Sequence, residues 1–406
     1  MISGCGSSQT SSETTEQVVE ETQDTQSGTV TLSIWAEENN FDALNQMIES
    51  FKKEYAGQAE FEITLVQQSD GEAKNVALGD IHNMADVITM PDDQLLGFIA
   101  AGAIDAVPNA DEVKKANLAD AVVAASYNDI LYAYPCTADN GYFLYYDKNY
   151  FTEEDVKSMD RILEVAEEAG KKVSMEFDSG WYLYSFFGAT GLDFGLNEDG
   201  VTNHCNWNTT EGAIKGVDVA QALVDICASP AFAPQPDSEF VLGAQSGEVI
   251  AGISGVWNAI AIKEAWGADY GACKLPTYTC AGQQLQMSSF KGYKMLGVNA
   301  YSEHKEWAHK LADWLTNEEN QNLRFELRNQ GPSNINAAAS EEVKKVPAIL
   351  AVIEQSEYGV LQRVGSSYWS ACTSFADTIA AGNPDQIPLQ ELLDKMVKGI
   401  TASSVQ

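Results

Sequence analysis

Apolar positions in the first ninety residues switch between the period of a strand and the period of a helix. They alternate over residues 29–35, which predicts a strand, and recur every three or four residues over 41–55, which predicts an amphipathic helix. The pattern then predicts strands at 61–65 and 86–89, with a short helix at 72–78 between them. This βαβαβ order is typical of a doubly wound α/β domain with a parallel sheet.

A similar alternation resumes in the second half of the chain. Strands are predicted at 173–177, 249–254, 270–276 and 293–298, and helices at 152–170, from Gly180 onward and at 210–227. From residue 303 the pattern is mostly helical, and Pro388 suits the first turn of the last helix. A chain of 406 residues is too long for one core of usual size, so we predict two α/β domains.

The centre of the chain is interpreted as two aromatic-rich strands, at 131–134 and 142–146. Between them, residues 135–141 include Pro, Asp, Asn and Gly, which favour a turn. We therefore predict a polar corner with Asp139 and Asn140 at its centre. This stretch alone fits a solvated hairpin and a ligand-binding corner equally well.

The charge balance narrows the class of partner. Lys and Arg total 24 and Asp and Glu total 59, which gives a formal net charge of −35. Such a surface repels nucleic acid and anionic membranes and favours a neutral or cationic ligand. The sequence contains no run of 18 apolar residues, so no membrane-spanning helix is predicted.

The N-terminus predicts a lipid anchor. Residues 2–5, ISGC, resemble the lipobox of bacterial lipoproteins, in which the cysteine is lipidated once a signal peptide is removed. Residues 6–27 are mostly Ser, Thr, Glu and Gln and predict a flexible tether. We expect Cys5 to hold an exported body at the outer face of the cytoplasmic membrane through its lipid alone. The alternative is a disordered tail with a chance cysteine.

The other six cysteines form neither a CxxC pair nor a metal-ligand spacing. They are expected as buried thiols, with disulfides as the alternative and Cys273 and Cys280 as the nearest pair in sequence. The sequence predicts neither a metal site nor a cofactor.

Polar and aromatic residues follow the predicted strands in both halves, where ligands of α/β sheets bind. The candidate ligand contacts are Trp35, Glu37, Glu38, Asn39, Asp93, Asp139, Asn140, Trp181, Tyr182, Trp257 and Asn258. Of the neighbours Asp92 and Asp93, one is expected to cap the following helix and the other to contact ligand.

These residue types suit a sugar. Flat aromatic rings match the CH faces of a sugar ring, and carboxylates and amides accept hydrogen bonds from its hydroxyls. The sequence has no GxSxG, HExxH or phosphate-binding glycine motif, and its four histidines lie in no catalytic spacing. An oligosaccharide-binding protein that is not an enzyme is therefore the expectation.

Several stretches carry a family resemblance. They are TLSIWAEENNF, ADVITMPDDQLLGFIAAGAIDAV, LYAYPCTADNGYFLYYDK, GISGVWNAI, YGACKLPT, KMLGVNA, LTNEENQ and SSYWSACTSFADTIAAG. From about residue 28 to 403 the chain resembles extracellular solute-binding proteins of bacterial carbohydrate ABC importers, in particular the maltose/maltodextrin-binding type.

The resemblance implies a type II periplasmic-binding-protein-like fold, with two α/β lobes joined by hinge crossovers that close around a ligand. The implied division is a lipobox and tether at 1–28, an N-terminal lobe at 29–138 plus 288–343, and a C-terminal lobe at 139–287 plus 344–406. Hinges are expected near 136–141, 276–288 and 340–347.

By resemblance, the sugar-binding positions include Glu37, Glu38, Asp93 and Asp139 in one lobe, and Trp181 or Tyr182, Trp257 and Trp369 in the other. Tyr368, beside Trp369, is a further candidate. The sequence departs from the maltose-binding pattern at two positions: Met90 replaces a Trp and Gln94 replaces an Arg.

The implied function is binding of maltodextrin and its delivery, as a monomer, to an ABC transporter permease. Alternatives are another neutral oligosaccharide, such as a β-linked or galactosyl glycan, a secreted glycan-active enzyme, and a surface adhesin or sensor.

Overall fold

The computed structural model describes residues 28–403, so the predictions for Cys5 and for the tether at 6–27 lie outside the described residues. The strands of the described part are β1 (Thr29–Ala36), β2 (Glu60–Gln67), β3 (Val87–Pro91), β4 (Ser126–Tyr127), β5 (Ile130–Leu131), β6 (Ala133–Asp147), β7 (Lys172–Met175), β8 (Phe194–Leu196), β9 (Asn203–Cys205), β10 (Phe232–Pro234), β11 (Val249–Gly255), β12 (Tyr270–Cys273), β13 (Thr277–Cys280), β14 (Gln283–Gln286), β15 (Ser289–Val298) and β16 (Gly359–Leu361).

The helices are α1 (Phe41–Glu54), α2 (Ala73–Gly79), α3 (Leu95–Ala100), α4 (Ala110–Ala116), α5 (Ala119–Ala124), α6 (Met159–Glu168), α7 (Gly180–Phe187), α8 (Gly216–Ala228), α9 (Asp237–Ser246), α10 (Ala259–Trp266), α11 (Lys305–Leu315), α12 (Glu318–Arg328), α13 (Ile335–Ala338), α14 (Pro347–Ser356), α15 (Ser367–Ala380) and α16 (Leu389–Ile400).

One sheet runs through both lobes in the order β10-β7-β11-β6-β15-β3-β1-β2, with β12 beside β6 and β16 beside β15. The first-lobe order β2-β1-β3-β15-β6 is repeated in the second lobe as β10-β7-β11-β6-β12. In each set the first three strands are parallel, and the fourth is antiparallel to both neighbours. The predicted α/β fold class is confirmed, and β6 and β15 belong to both lobes.

The predicted polar corner is wrong, because residues 135–141 continue β6 as a strand. The amide of Ala138 donates to the carbonyl of Gly331 at 2.9 Å, and Thr137 forms a bridge with Pro332. On the other side, β15 pairs along the same stretch with two register shifts. These neighbours satisfy the backbone of residue types that would otherwise favour a turn.

Side chains of β6 alternate between two cores of the second lobe. Leu144 faces the core that contains Phe186, whereas Phe143 and Tyr145 face the core that contains Phe240. A strand buried on both faces needs apolar residues at every position, which explains its continuous aromatic run. The first lobe has its own core, built on β1, β3, α1 and α11.

Some element boundaries differ from the prediction. Helix α6 begins at Met159, because Asp155 instead closes a local turn by accepting from the amide of Thr152 at 3.0 Å. Helix α8 begins at Gly216, six residues after its predicted start, and Pro388 directly precedes α16.

The hinge expected at 276–288 falls in a segment with regular structure. This segment forms the hairpin β13–β14, whose Tyr278 is buried in the second-lobe core. Its Thr277 hydroxyl donates to the carbonyl of Lys157 at 3.1 Å, so the hairpin is fastened to that lobe. The chain crosses between the lobes in β15, which begins directly after this segment. The three hinges and the lobe boundaries remain predictions.

Within residues 28–403, no helix is both long and apolar enough to cross a membrane. The structure describes the six cysteines of this range as free thiols. Burial raises the pKa of Cys280 to about 11 and that of Cys205 to about 12, so both thiols are unreactive at neutral pH.

Candidate functional site

Three loops of the second lobe are joined by hydrogen bonds at the carboxyl ends of β7, β10 and β11. Glu176 accepts from the backbone amide of Asp237 through Oε2, at 3.2 Å. Asp237 in turn accepts through Oδ2 from Trp257 Nε1 at 2.5 Å and from Asn258 Nδ2 at 2.7 Å. The Asn258 amide also donates to the Ser254 hydroxyl at 3.0 Å. This chain of contacts fixes the orientation of the Trp257 ring.

Burial raises the pKa of both Glu176 and Asp237. For Asp237, hydrogen bonds from Ser254, Trp257 and Asn258 oppose that rise, whereas for Glu176 the nearby Asp237 charge adds to it. Among the ion pairs of residues 28–403, neither carboxylate has a cationic partner. These two groups are therefore hydrogen-bond acceptors beside an aromatic surface.

That surface, the aromatic wall, consists of Trp181 and Trp257, both only partly buried. Trp369 is also partly buried, and its ring lies 6.2 Å from that of Phe290. The rings of Trp181 and Trp257 lie 5.7 Å apart with planes tilted by 31°. Trp181 opens α7, where the Ser179 side chain caps its backbone amide at 3.3 Å. A Cβ on Gly180 would lie 3.0 Å from Cys372 Cβ, so a glycine lets α7 approach the helix that carries Trp369.

Tyr182 and Tyr368 lie beneath this wall. Tyr182 is 3% exposed and packs against Tyr142 at 4.8 Å between ring centroids. Tyr368 is fully buried, and its hydroxyl donates to the carbonyl of Gly180 at 2.7 Å. In this structure both side chains support the wall from below, and their expected ligand contacts remain predictions.

The first lobe presents charged groups at the ends of β1 and β2. Lys294 Nζ lies 2.8 Å from Asp70 Oδ2 and 4.0 Å from Glu37 Oε2. Burial acts to lower the pKa of Lys294, but attraction to Asp70 and Glu37 outweighs it and the pKa is raised. The ammonium stays charged and holds the two loops together, while Glu38 and Asn39 are exposed beside them. Trp35 is partly buried against the first-lobe core.

The loop after β3 corrects the capping expectation. Asp92 does not cap a helix, because its Oδ1 accepts from the backbone amide of Tyr293 at 2.8 Å. Burial raises the pKa of Asp93 to about 6, against opposing effects of Lys74 and a hydrogen bond from Gln362. Asp93 is partly exposed at the loop, as its candidate role requires.

The two departures from the maltose-binding pattern have structural uses. Met90 is fully buried in the first-lobe core. The Gln94 amide donates to the carbonyls of Asp70 and Gly71 at 2.9 and 2.6 Å, and accepts from the amide of Lys74 at 2.8 Å. Gln94 therefore shapes the loop after β2 from within.

Asp139 and Asn140 lie in the crossing part of β6 and point to different partners. Asp139 is buried, and one of its carboxylate oxygens accepts from the amide of Gly331. Burial raises its pKa, and a hydrogen bond from Thr137 opposes the rise. Asn140 is partly exposed, and both residues line a cavity of about 300 Å³ shared with Lys291 and Asp120. The hydrogen bond from Gly331 gives Asp139 a structural role that does not depend on any contact with ligand.

Comparison with known proteins identifies the family of this chain. The model of a family described as bacterial extracellular solute-binding protein matches residues 46–351. The chain belongs to this family. The family resemblance predicted from sequence is thereby confirmed.

Two curated relatives extend the likeness of this solute-binding protein. The galactooligosaccharide-binding protein of Bacillus subtilis (strain 168) is 28% identical over 369 residues, which cover 87% of this chain and 85% of the relative. A maltooligosaccharide ABC transporter solute-binding lipoprotein of Streptococcus pneumoniae (strain ATCC BAA-255 / R6) is 24% identical over 295 residues, covering 67% of this chain and 65% of the relative.

Solved structures share the fold. A structure determined with acarbose has a TM-score of 0.83 and 31% identity, covering 92% of this chain and 99% of that chain. A maltodextrin-binding protein from L. casei BL23, solved without ligand, has a TM-score of 0.78 and 22% identity, covering 92% and 100%. The two-lobe architecture of this solute-binding protein is thus that of its structural neighbours.

Sequence reasoning missed two residues of the site, Glu176 and Asp237. Glu176 lay inside a strand predicted at 173–177, whereas β7 ends at Met175 and leaves it at the carboxyl end. Asp237 follows β10, a three-residue strand whose pattern is too short to predict. Ligands of α/β sheets bind at the carboxyl ends of strands, so correct strand ends would have identified both residues from the sequence.

Across the part of the chain that the structure describes, no three or more His, Cys, Asp or Glu side chains group in a way that could hold a metal ion. The aromatic and polar side chains of the site offer stacking and hydrogen bonding. Its two sides differ: an aromatic wall with acceptors on the second lobe, and an ionic cluster on the first.

Proposed function

We propose that this solute-binding protein binds an oligosaccharide between its two lobes. The observation that carries the proposal is the aromatic wall with Glu176, Asp237 and Asn258 at its edge. Partly exposed tryptophans offer flat faces to sugar CH groups, and the adjacent oxygens accept from ring hydroxyls. An oligosaccharide uses both features at once, along a row of ring units.

Maltodextrin is the first candidate ligand. The maltooligosaccharide-binding relative and the structure with acarbose support it. A galactosyl oligosaccharide is the second candidate, favoured by the relative that covers 87% of this chain and is named for galactooligosaccharide binding. Met90, which stands where the maltose-binding pattern has a Trp, is buried in the first-lobe core, and this supports a larger share of the binding on the second lobe.

The test is a calorimetric titration of the purified protein against maltose, maltotriose, maltotetraose and β-1,4-galactosyl oligosaccharides. Micromolar or tighter binding of maltotriose and longer chains supports the first candidate. Binding of galactosyl chains alone moves the specificity to the second. No heat with any oligosaccharide contradicts the proposal.

We extend the proposal to transport. Cys5 would carry the lipid that keeps the exported protein at the outer face of the cytoplasmic membrane. Ligand binding would close the lobes about the crossovers in β6 and β15, and the closed monomer would deliver the sugar to an ABC transporter permease. A radius of gyration that does not change on saturation with a tight ligand, measured by small-angle X-ray scattering, would count against closure.

We also propose that the protein is not an enzyme. Its relatives are binding proteins, and Glu176 and Asp237 act as acceptors for neighbouring donors. Prolonged incubation with a bound oligosaccharide should return it intact by mass spectrometry. Accumulation of shorter products would show hydrolysis instead.

A further inference from the structure

A short segment after β16 passes between the two lobes and is attached to both. We call residues 361–365, LQRVG, the strap. Leu361 packs against the first-lobe core, whereas Val364 packs against the second-lobe core. The chain therefore leaves one lobe and enters the other within three residues. The strap is a further crossing, in addition to those in β6 and β15.

The first-lobe end of the strap is fastened by the side chain of Arg363. Its Nη2 donates to the carbonyls of Val123 and Ala124 at 2.9 and 3.2 Å, and to the carbonyl of Ser126 at 3.4 Å. These carbonyls lie at the end of α5, a helix with no basic residue in its last turn. The guanidinium thus satisfies carbonyls that have no partner within the helix. These three hydrogen bonds, the α5 tie, attach the strap to the first lobe.

The second-lobe end of the strap is fastened through its backbone at Gly365. The amide of Gly365 donates to Asn203 Oδ1 at 2.7 Å. Asn203, which is 3% exposed, donates in turn through Nδ2 to the carbonyls of Gly365 at 3.2 Å and of Ile400 at 3.1 Å. A Cβ on Gly365 would lie 2.1 Å from the carbonyl oxygen of Val201, so this close approach requires a glycine. The strap is therefore held at both ends.

We propose that Arg363 is a positioning residue that opposes closure of the two lobes. Two residues span at most about 7 Å, so the chain between Arg363 and Gly365 has little slack. A rotation that moves α5 away from the second lobe must break the α5 tie. The inference rests on the proposed oligosaccharide-binding function, and it names the residue that sets how readily the lobes close on the ligand.

The neighbouring Gln362 indicates which rotation breaks the tie. Gln362 is buried, and its side chain hydrogen-bonds to Asp93 on the loop predicted to contact ligand. Arg363, the next residue, reaches the end of α5 instead, so the two side chains point to different sides of the strap. A rotation that brings the lobes together on the ligand side moves them apart on the other side. Closure therefore stretches the α5 tie, and loss of the tie favours the closed arrangement.

The experiment compares wild type with Arg363→Met by calorimetry, using the tightest binder among maltotriose, maltotetraose and a β-1,4-galactosyl trisaccharide. The tie stabilises the open arrangement through its hydrogen bonds, so its loss should tighten binding about 5- to 10-fold. Arg363→Lys keeps the charge with fewer donors and should have an intermediate affinity. The matched control Arg161→Met loses contacts with Asp155 and Glu164, all within the second lobe, and should bind as wild type does.

Small-angle X-ray scattering separates this positioning role from a purely structural one. The radius of gyration of ligand-free Arg363→Met should be closer than that of ligand-free wild type to the value for saturated wild type. A structural role alone would lower the free energy of unfolding in urea and leave both the affinity and the ligand-free radius of gyration unchanged. If Arg363→Met does not fold, Arg363→Gln, which lacks the charge and the length of arginine, decides the question.

The outcomes distinguish failure of the inference from failure of the proposed function. If wild type binds none of the sugars, the proposed function fails and the inference with it. If wild type binds, and Arg363→Met binds within twofold of it or more weakly, the inference alone fails. An equal gain of affinity in Arg161→Met also overturns the inference, because the effect would then follow the loss of a positive charge and not the loss of the tie.

Discussion

The two lobes build opposite chemistry on the same strand order. At the carboxyl ends of β7, β10 and β11 the second lobe presents Trp181 and Trp257, and the Trp257 indole donates to the Asp237 carboxylate. Behind β1 and β2 the first lobe presents Lys294 between Asp70 and Glu37. Lys294 pairs with the carboxylates of the ionic cluster, whereas the carboxylates beside the aromatic wall accept from neutral donors. We infer that the first-lobe cluster mainly stabilises the fold and the second-lobe wall mainly binds ligand.

The largest expected effect is on stability, at the first lobe. Replacing Lys294 by Met leaves the Asp70 carboxylate, with 3% of its side chain exposed, without its cation. Breaking such a buried pair should lower the free energy of unfolding by about 3 kcal/mol, measured by urea denaturation. The control Lys52→Met breaks a surface pair with Glu49 and should cost less than about 1 kcal/mol. Equal losses in the two variants would contradict a structural role for the cluster.

Trp257→Ala sharpens the comparison from the other lobe. Removing a central aromatic anchor should weaken binding of the tightest oligosaccharide about 100-fold, or about 2.7 kcal/mol, by calorimetry. Trp307→Phe, within the aromatic cluster around Phe51 in the first lobe, should leave that affinity unchanged. If Trp257→Ala bound with wild-type affinity, the aromatic wall would not be part of the binding site.

Asp93→Asn tests whether the free energy of unfolding of the protein is lowered by the Asp93 carboxylate. Its folded-state pKa of about 6 exceeds the ordinary value of 3.8, so between these values the folded protein binds more protons than the unfolded chain. Stability from this group is therefore present at low pH and lost as pH rises through about 6. Asp93→Asn should exceed wild type in unfolding free energy by about 2 kcal/mol at pH 7, and the difference should vanish near pH 4. If the difference in unfolding free energy did not change with pH, it would contradict the raised pKa of Asp93.

The smallest expected effect is at Glu38, an exposed residue of the β1 loop. Glu38→Gln should change affinity less than about twofold, because a solvated side chain gives up water to contact ligand. Glu37→Gln, at the Lys294 cluster, is the matched comparison and should lower the melting temperature. A tenfold loss in Glu38→Gln would show that the first lobe also binds ligand directly.

Local pattern was sufficient for most of the fold. The alternation of β1 and the helical spacing of α1 depend on neighbours in sequence, and both elements form where predicted. The tryptophans at 181 and 257 were identified because each lies near a strand-to-helix turn, after β7 and after β11. The sequence did not predict which aromatic side chains are buried, since Trp369 and Tyr368 are adjacent in sequence but differ in burial.

The sequence by itself determined the α/β alternation, the family and the aromatic character of the site, because periodicity, residue type and strand-end position are local properties. Only the tertiary structure decided that residues 135–141 are a strand and that Asp237 holds Trp257. In the first case Gly331 and β15 supply backbone hydrogen bonds from about 150 to almost 200 residues away. In the second, three strand ends meet at one edge of a sheet, and such meetings depend on strand order, which local periodicity does not encode.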